Sequence, residues 1–537
     1  MTSMPRNFLI VFVALLLFSN CAKKGSPSGG PKDSIPPMII RSDPENFTTD
    51  FSGDEIRIYF DEYIKLKDLQ QNLIISPPLD YQPIITPLST SKVLKIKILD
   101  TLKPNTTYSF NFGKSIVDNN EENEFDYFKY IFSTGSYIDS LTVKGKIADA
   151  LLPQPDKRTT VMLYEMTETF IDSIIYSENP TYITTTKDST QTFELTNLKE
   201  GNYLLIALQE ETGNYTYEPK KDKIGFIDET VTTPTDSSYL ISLFKEIPVY
   251  KIARPSQVAK NKIVFGFFGN ADSLKISPIS KLPEGFTSMV YWDPKVDSLN
   301  YYFKPAIDIK QTDTLLFLAT NNLQIDTLAV RMRDLFADSL NISRLGSTNA
   351  IPRDTLKFQL NIPLISLNAE RIKVTNKDSM QIPVTTWIDR RSNIASILFN
   401  KTDEQLYTIE IFPNAFTDFF ENTNDTLTYK MRTLEVSDYG ELSMTLANVK
   451  KYPIIVELVD SKYKVVASRY LTENTPLYFD YLDPDQYYFR IIYDDNLNKI
   501  WNTGNYLEKI QPEKVIYFSR QIDIRPNFFI NETFTID

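Results

Sequence analysis

Histidine is absent from this 537-residue sequence, and cysteine occurs once, at Cys21. The lack of histidine excludes Ser-His-Asp triads, Cys-His pairs, histidine general bases and histidine-ligated zinc. A single cysteine excludes an intrachain disulfide, so stability must come from hydrophobic cores. Carboxylate, lysine, hydroxyl and phenol chemistry remain, and no catalytic motif built from them stands out. We therefore predict that the protein is not an enzyme.

Basic residues are outnumbered by acidic ones. The chain has 57 Lys and Arg against 69 Asp and Glu, which gives a net charge of −12 and a pI near 4.9. This balance argues against a nucleic-acid partner, because such affinity comes from clustered cations on phosphate. The 42% apolar and 23% charged composition is typical of folded globular chains, and the length predicts several domains.

A short apolar run precedes Cys21. Residues 8–18 (FLIVFVALLLF) are wholly apolar, but a membrane-spanning helix needs about 20 such residues. The run has the length of a signal-peptide core, and its order with the following cysteine resembles the lipobox of bacterial lipoproteins. Phe18 and Asn20 depart from the usual Leu and the usual small residue. The resemblance implies a signal peptide at 1–20 and acylation (palmitate) of Cys21; the alternative is an ordinary secretory signal with a chance cysteine.

Residues 21–35 follow as a segment rich in Gly, Ser, Pro and Lys. This composition cannot form a core and predicts a flexible tether of roughly 20 Å r.m.s. reach. In the lipoproteins that the start resembles, an Asp after the cysteine retains the protein at the inner membrane, and none is present here. The resemblance therefore implies a lipid anchor in the outer membrane. Lipoproteins of this kind that are exported to the cell surface often carry an acidic cluster soon after the cysteine, and none is present here. The resemblance therefore favours the periplasmic face over the cell surface.

Period-two patterns dominate the rest of the chain. They occur in EIRIYF (55–60), LKIKI (94–98), YSFNF (108–112) and YYFRIIY (487–493). Such alternation puts one face of a strand in a core and the other in water. Tyr, Phe, Ile, Val and Thr are abundant, as sheets prefer, and no long amphipathic helix is evident. The sequence predicts an all-β protein.

The sequence also repeats itself. Residues 193–218 align without gaps on a later segment at an offset of 284 residues, so that Tyr203 meets Tyr487. A second pair lies upstream, where 108–123 resembles 407–422. These pairs predict that a two-domain unit occurs twice, with a middle segment between the copies.

Longer motifs in the repeated units resemble those of known domain families. IPPMII, IYFDEY, NTTYSFNFG and FSTG, within 35–135, resemble a bacterial Ig-like domain of the S-layer-protein type. VKGKI, FELTNLKEGNYLL and DKIGF, within 140–250, resemble a carboxypeptidase-regulatory-like, transthyretin-like sandwich. The whole chain resembles Bacteroidetes-type Ig-like lipoproteins, a family without an established activity. The resemblance implies tandem Ig-like and transthyretin-like β-sandwiches.

The predicted organisation combines these units in chain order. It consists of a signal peptide (1–20), the lipidated Cys21 with its tether (21–35), a bacterial Ig-like domain (36–136), a transthyretin-like domain (137–252), a middle β-sandwich (253–350), an Ig-like domain (351–435) and a transthyretin-like domain (436–537).

One loop has the spacing of calcium ligands. In YDDNLNKIWN, Asp494, Asn496 and Asn498 stand at alternate positions, and Asn502 occupies the place of a later ligand. In a loop this spacing directs oxygen-bearing side chains to one point, although a calcium loop usually has a carboxylate at the later position. The alternative is a polar hairpin loop in which Asn and Asp form turns.

These features support two functional hypotheses. The first is a membrane-anchored scaffold or binding module with a protein or glycan partner in the envelope. The alternative is a carbohydrate-binding or adhesive surface protein, with or without calcium, that uses exposed aromatic residues such as Tyr291, Trp292, Tyr301 and Tyr302. A hydrolase based on two carboxylates is disfavoured, because nothing in the sequence selects such a pair.

Overall fold

The computed structural model describes residues 33–187, 190–307 and 314–536. The predicted signal peptide, Cys21 and most of the tether lie outside these ranges. The chain is 48% strand and 3% helix, which confirms the all-β prediction of tandem sandwiches. Within the described ranges, no helix is both long and apolar enough to cross a membrane.

The first sandwich follows the predicted alternation. Ile56, Ile58 and Phe60 of EIRIYF are buried in its core. One sheet has the order β1-β2-β5-β4 with β7 against β2, and the other has the order β3-β6-β8. The elements are β1 (Ile39–Asp43), β2 (Glu55–Leu66), α1 (Leu69–Asn72), β3 (Ile74–Ser76), β4 (Ile84–Thr86), β5 (Ser91–Lys97), β6 (Thr107–Asn111), β7 (Ile116–Asp118) and β8 (Lys129–Ser133).

The second sandwich pairs a sheet β11-β10-β13-β14, with β15 against β13, with a sheet β12-β9-β16. Its strands β9 and β16 are parallel, and its other pairs are antiparallel. The elements are β9 (Leu141–Asp149), β10 (Thr160–Glu165), a 3₁₀ helix (Asp172–Tyr176), β11 (Tyr182–Thr185), β12 (Thr192–Leu198), β13 (Gly201–Gln209), β14 (Lys223–Phe226), β15 (Val231–Thr233) and β16 (Ser238–Leu243).

The middle segment is also a sandwich. One sheet has the order β17-β19-β22-β21 with β18 against β19, and the other has the order β20-β23-β24. The strands are β17 (Lys251–Ile252), β18 (Ser256–Ala259), β19 (Lys262–Phe268), β20 (Lys275–Pro278), β21 (Thr287–Trp292), β22 (Ser298–Lys304), β23 (Thr314–Asn321) and β24 (Gln324–Arg331).

The fourth sandwich has the sheets β25-β26-β31-β30, β27-β33 and β29-β28-β32-β34. Its first strand pairs with β26, although the predicted boundary at 350 leaves that strand in the middle unit. The elements are β25 (Ile342–Leu345), β26 (Leu356–Leu360), β27 (Leu364–Leu367), a 3₁₀ helix (Ala369–Arg371), β28 (Ile372–Thr375), β29 (Gln381–Ile382), β30 (Val384–Asp389), β31 (Ile394–Phe399), β32 (Leu406–Ile411), β33 (Phe416–Asp418) and β34 (Leu427–Arg432).

The fifth sandwich repeats the second strand for strand. Its sheets are β37-β36-β39-β40, with β41 against β39, and β38-β35-β42, in which β35 and β42 are parallel. The elements are a 3₁₀ helix (Val436–Asp438), β35 (Gly440–Ala447), β36 (Ile454–Val459), β37 (Val465–Leu471), β38 (Leu477–Leu482), β39 (Asp485–Tyr493), β40 (Val515–Tyr517), β41 (Ile522–Ile524) and β42 (Phe529–Thr535).

Matched hydrogen bonds support the internal repeat. The hydroxyl of Tyr203 donates to the carbonyl of Lys199 at 3.1 Å, and that of Tyr487 donates to the carbonyl of Asp483 at 2.8 Å. Both the donors and the acceptors are separated by 284 residues, the offset found in the sequence. The second and fifth sandwiches are therefore two copies of one unit.

The first and fourth sandwiches also correspond, with one adjustment. The hydroxyls of Tyr108 and Tyr407 each accept a backbone N–H five residues earlier, at 2.9 and 2.7 Å. Further along, Asp118 and Asp418 each cap the turn that follows their strand, at an offset of 300 residues rather than 299. The resemblance of 108–123 to 407–422 therefore includes one inserted residue in the later copy, between Tyr407 and Asp418.

Polar contacts join neighbouring sandwiches. Between the first and second, the N–H of Ile183 donates to Ser76 Oγ at 3.1 Å. Between the fourth and fifth, Arg353 pairs with Asp480 and also donates to its carbonyl at 3.0 Å. A cleft of about 390 Å³ lies beside this pair. The sandwiches are thus in contact as well as covalently linked.

Candidate functional site

The long loop after β39 holds the residues predicted to bind calcium. The side chain of Asp494 is buried, and its two oxygens accept the N–H groups of Asn498 at 3.1 Å and Lys499 at 2.9 Å. In the first copy, Glu210 accepts the N–H groups of Asn214 and Tyr215 at 3.0 and 3.1 Å. The same position in both copies thus caps the start of the loop.

The structure brings two other predicted ligands together. The amide of Asn496 donates to Asn502 Oδ1 at 3.1 Å, whereas Asn498 Oδ1 accepts the N–H of Ile500 at 3.0 Å. Across the described ranges, no cluster of three or more His, Cys, Asp or Glu residues forms a metal site. Since amide oxygens also bind calcium, a calcium site in this loop stays a prediction.

Glu513 is a second anchor of this loop, and sequence reasoning missed it. Its carboxylate accepts the N–H groups of Asp495 at 2.8 Å and Asn502 at 2.9 Å. The indole of Trp501 donates to its carbonyl at 3.1 Å. Because Glu513 and Asp494 tie the loop at both ends, the segment between them has a fixed shape.

That segment docks on the second sandwich through Tyr506. The Tyr506 side chain has no solvent exposure, and its ring packs edge-on against Phe226 with centroids 5.4 Å apart. Its hydroxyl donates to the carbonyl of Asp172 at 3.0 Å, and its N–H donates to the buried carboxylate of Glu246. Burial raises the pKa of the Tyr506 phenol, followed in effect by the nearby charge of Asp172.

Further bonds surround Tyr506. Thr503 Oγ1 donates to the carbonyl of Lys245 at 2.7 Å, and Lys509 pairs with Asp172 at 2.6 Å. Gly504 permits the close approach, since a Cβ there would lie 2.7 Å from the ring of Phe244 in the second sandwich. These contacts join sandwiches that are adjacent in space but separated by two others in the chain.

A second set of contacts lies on the sheet of the fifth sandwich itself. Arg490 and the Tyr517 hydroxyl both donate to the carbonyl of Leu151, at 2.9 and 2.7 Å. Arg490 is itself buried and paired with Glu457 at 2.6 Å. The second and fifth sandwiches therefore share an interface with both a loop and a sheet component. We call it the closure interface.

The third and fourth sandwiches meet through two of the predicted contact aromatics. Tyr291 and Tyr302 are buried in an apolar cluster with Ile362. Both hydroxyls donate to the carbonyl of Asn361, at 2.8 and 2.6 Å. Tyr301 lies in the core of the third sandwich. The prediction that these three tyrosines are exposed is therefore wrong. The fourth sandwich covers Tyr291 of β21 and Tyr302 of β22 on the outer face of the sheet, and Tyr301 points into the core on the inner face.

Trp292, the fourth predicted aromatic, lines a cleft of about 480 Å³. The Arg391 guanidinium lies 4.6 Å from its ring centroid and pairs with Asp272 at 3.1 Å. Lys245 and Glu246 of the second sandwich complete the wall. We call this space the Trp292 cleft. Since Glu246 also holds Tyr506, the second, third, fourth and fifth sandwiches all meet at this place.

Comparison with known families identifies the kind of domain that the first sandwich forms. Residues 33–134 match the bacterial Ig-like domain family. This confirms the Ig-like resemblance of the first sandwich, while its S-layer type, the transthyretin-like resemblance and the lipoprotein resemblance stay predictions. No curated protein matches the chain.

Solved structures align with the chain only loosely. Domains 1–6 of the surface-layer protein SbsC share 11% identity over 91% of this chain and 67% of that one, with a TM-score of 0.16. Bacteroides ovatus SGBP-B, solved with a mixed-linkage heptasaccharide, shares 11% identity over 72% and 92%, with a TM-score of 0.18. The Bacillus cereus pilin subunit BcpA shares 10% identity over 74% and 99%, with a TM-score of 0.14. We draw no functional conclusion from these alignments.

Proposed function

We propose that this protein is a non-enzymatic, lipid-anchored envelope protein that serves as a scaffold or binding module. The observation that carries the proposal is the closure interface. It ties the fifth sandwich to the second through Tyr506, so that four sandwiches form a ring. A ring holds loops and clefts in fixed relative positions, which a string of domains on flexible linkers cannot do. Fixed positions suit the recognition of a large envelope protein or glycan.

The anchor is tested by removing the thiol. In the Cys21→Ser variant we expect loss of acyl labelling and release of the protein from the membrane fraction, since stable anchoring requires the lipid chains. Ser26→Ala, in the same tether, is the matched control and should remain anchored. A Cys21→Ser chain that stays in membranes without acyl label would contradict the anchor.

The predicted side of the outer membrane is tested by protease treatment of intact and lysed cells. Our proposal of a periplasmic location predicts cleavage only after lysis. Crosslinking in place should then capture an envelope protein. Cleavage on intact cells would contradict the periplasmic location and direct the search toward surface ligands.

The Trp292 cleft favours a second candidate function, carbohydrate binding. Arg391 covers one face of the half-buried Trp292 ring, and the uncovered part of the indole lines the cleft beside the polar groups of Asp272 and Asn270. An aromatic ring with a few polar groups in one cleft suits a sugar ligand. We expect polysaccharide to retard the protein in affinity electrophoresis and Trp292→Ala to abolish the retardation. Trp387→Ala, at an exposed tryptophan in the fourth sandwich, is the matched control. Equal retardation of both variants would contradict a role for the cleft.

A further inference from the structure

The first sandwich has one sheet face that opposes the charge of the whole chain. Register and burial place Arg41, Arg57, Lys95 and Lys97 on the solvent side of the β1-β2-β5-β4 sheet. Lys92 lies beside them and donates to the carbonyl of Asp61. Three carboxylates share this side, those of Asp43, Glu55 and Asp61. The surface, which we call the basic face, therefore carries excess positive charge on a chain of net charge −12.

Exposed apolar side chains border the basic face where the chain enters the sandwich. Ile35, Met38, Ile40 and Tyr63 are each more than half exposed. They lie close together, because the backbone of Met38 exchanges hydrogen bonds with Asp61, two residues before Tyr63. Scattered single apolar residues are normal on protein surfaces. A group of four beside a basic sheet adds an apolar component of the kind that enters the headgroup region of bilayers, although the carboxyls of Asp33, Asp61 and Glu62 lie along the same border.

The tether keeps this face near its membrane. Asp33 is the first described residue and follows Cys21 by 12 positions. The coil predicted from the composition of this segment has an r.m.s. reach of roughly 20 Å. If Cys21 carries the lipid, the first sandwich cannot move far from the bilayer, and its local concentration at the headgroups is high.

We propose that the basic face, with its apolar border, lies directly on an anionic phospholipid surface. The proposal rests on the lipid anchor proposed for Cys21. Each Lys or Arg near such a surface strengthens binding by about fivefold, and the apolar border adds burial at the headgroup level. Contact of the first sandwich with the bilayer then fixes the orientation of the ring relative to the membrane.

A tethered vesicle assay tests the proposal independently of acylation in cells. Because Cys21 is the single thiol, the chain from Cys21 onward, which keeps every described residue, can be coupled through it to a maleimide lipid. Amine labelling of Lys95 and Lys97 is then followed by mass spectrometry. Three exposed lysines of the fourth and fifth sandwiches, Lys357, Lys430 and Lys464, serve as internal controls.

We expect phosphatidylglycerol vesicles to slow labelling of Lys95 and Lys97 severalfold relative to phosphatidylcholine vesicles, with no change at the control lysines. High salt should remove the protection. Equal labelling on both vesicles, or equal protection of all five lysines, would overturn the proposal. Loss of the anchor alone would appear instead as absent acyl label on Cys21 in cells, with the protection on vesicles unchanged.

A double variant provides a second readout. Lys95→Gln with Lys97→Gln should lower the affinity of the untethered Cys21→Ser chain for phosphatidylglycerol vesicles by about fivefold for each charge. Lys357→Gln with Lys430→Gln removes the same charge elsewhere and should leave the affinity unchanged. Equal losses in the two double variants would mean that net charge, and not the basic face, determines binding.

Discussion

Replacing Tyr506 by alanine should open the ring. The side chain is fully buried against the second sandwich, and removal of a buried aromatic costs about 3–5 kcal/mol. A loss of about 3 kcal/mol corresponds to roughly a hundredfold faster exchange for amides that exchange through this opening. The assay is hydrogen–deuterium exchange, read at Asp172–Tyr176 on the second sandwich and at 501–511 on the docked loop.

Two further variants of the same loop calibrate the result. Tyr506→Phe keeps the ring and loses the bond to Asp172, so we expect a loss of about 1 kcal/mol. Leu507→Ala changes the neighbouring side chain, which is 54% exposed, and should leave exchange at Asp172–Tyr176 unaltered. If Tyr506→Ala exchanges at the wild-type rate in both segments, the loop component of the closure interface contributes nothing to the fold, and the argument for a ring closed through Tyr506 fails.

Three other substitutions have defined outcomes. Hydrogen bonds and charge from Lys65 and Lys67 lower the pKa of Glu122 from 4.5 to about 2. The stabilisation from this ion pair is therefore present above pH 4.5 and lost as the pH falls toward 2. Glu122→Gln should make the stability measured by urea titration fall less over that range, and a pH profile identical to the wild type would refute this. Asp494→Ala should cost about 1–3 kcal/mol, because two N–H groups lose their acceptor; calcium should raise the melting temperature of the wild type alone, and no response to calcium or EDTA would exclude the metal. Tyr302→Phe should cost about 1 kcal/mol by chemical denaturation, whereas an unchanged midpoint would show that the bond contributes nothing.

The strands were predictable because their signal is local. In EIRIYF, alternation alone identifies Ile56, Ile58 and Phe60 as buried, since successive side chains of a strand point to opposite faces. The repeat was predictable for a related reason. Tyr203 and Tyr487 occupy the same place in the same unit and make the same hydrogen bond.

The associations between sandwiches could not be predicted in this way. Alternation places Tyr302 on the outer side of β22, but it does not tell whether solvent or another sandwich covers that side. Tyr506 lies in an irregular loop with no periodicity, and its partners Asp172 and Glu246 are distant in the chain. Each case depends on two surfaces that meet only after both have folded, so no local pattern marks them.

The boundary near 350 shows a third limit. Ile342–Leu345 has a short strand pattern that fits either neighbouring sandwich, and its pairing with Leu356–Leu360 decides the assignment. The domain to which an edge strand belongs is decided by the sheet with which it pairs. Composition around it carries little information on that choice.

The closure interface also has a consequence for biosynthesis. Domains fold in the order of their synthesis, from the N-terminus onward, so the second sandwich is complete well before Tyr506 is made. Until then the apolar site beside Phe226 and Phe244, which Tyr506 fills in the native state, is open to water and to other chains. Docking of the last sandwich is thus the step that covers this apolar site. A chain that ends before residue 506 leaves the site exposed and is prone to aggregate.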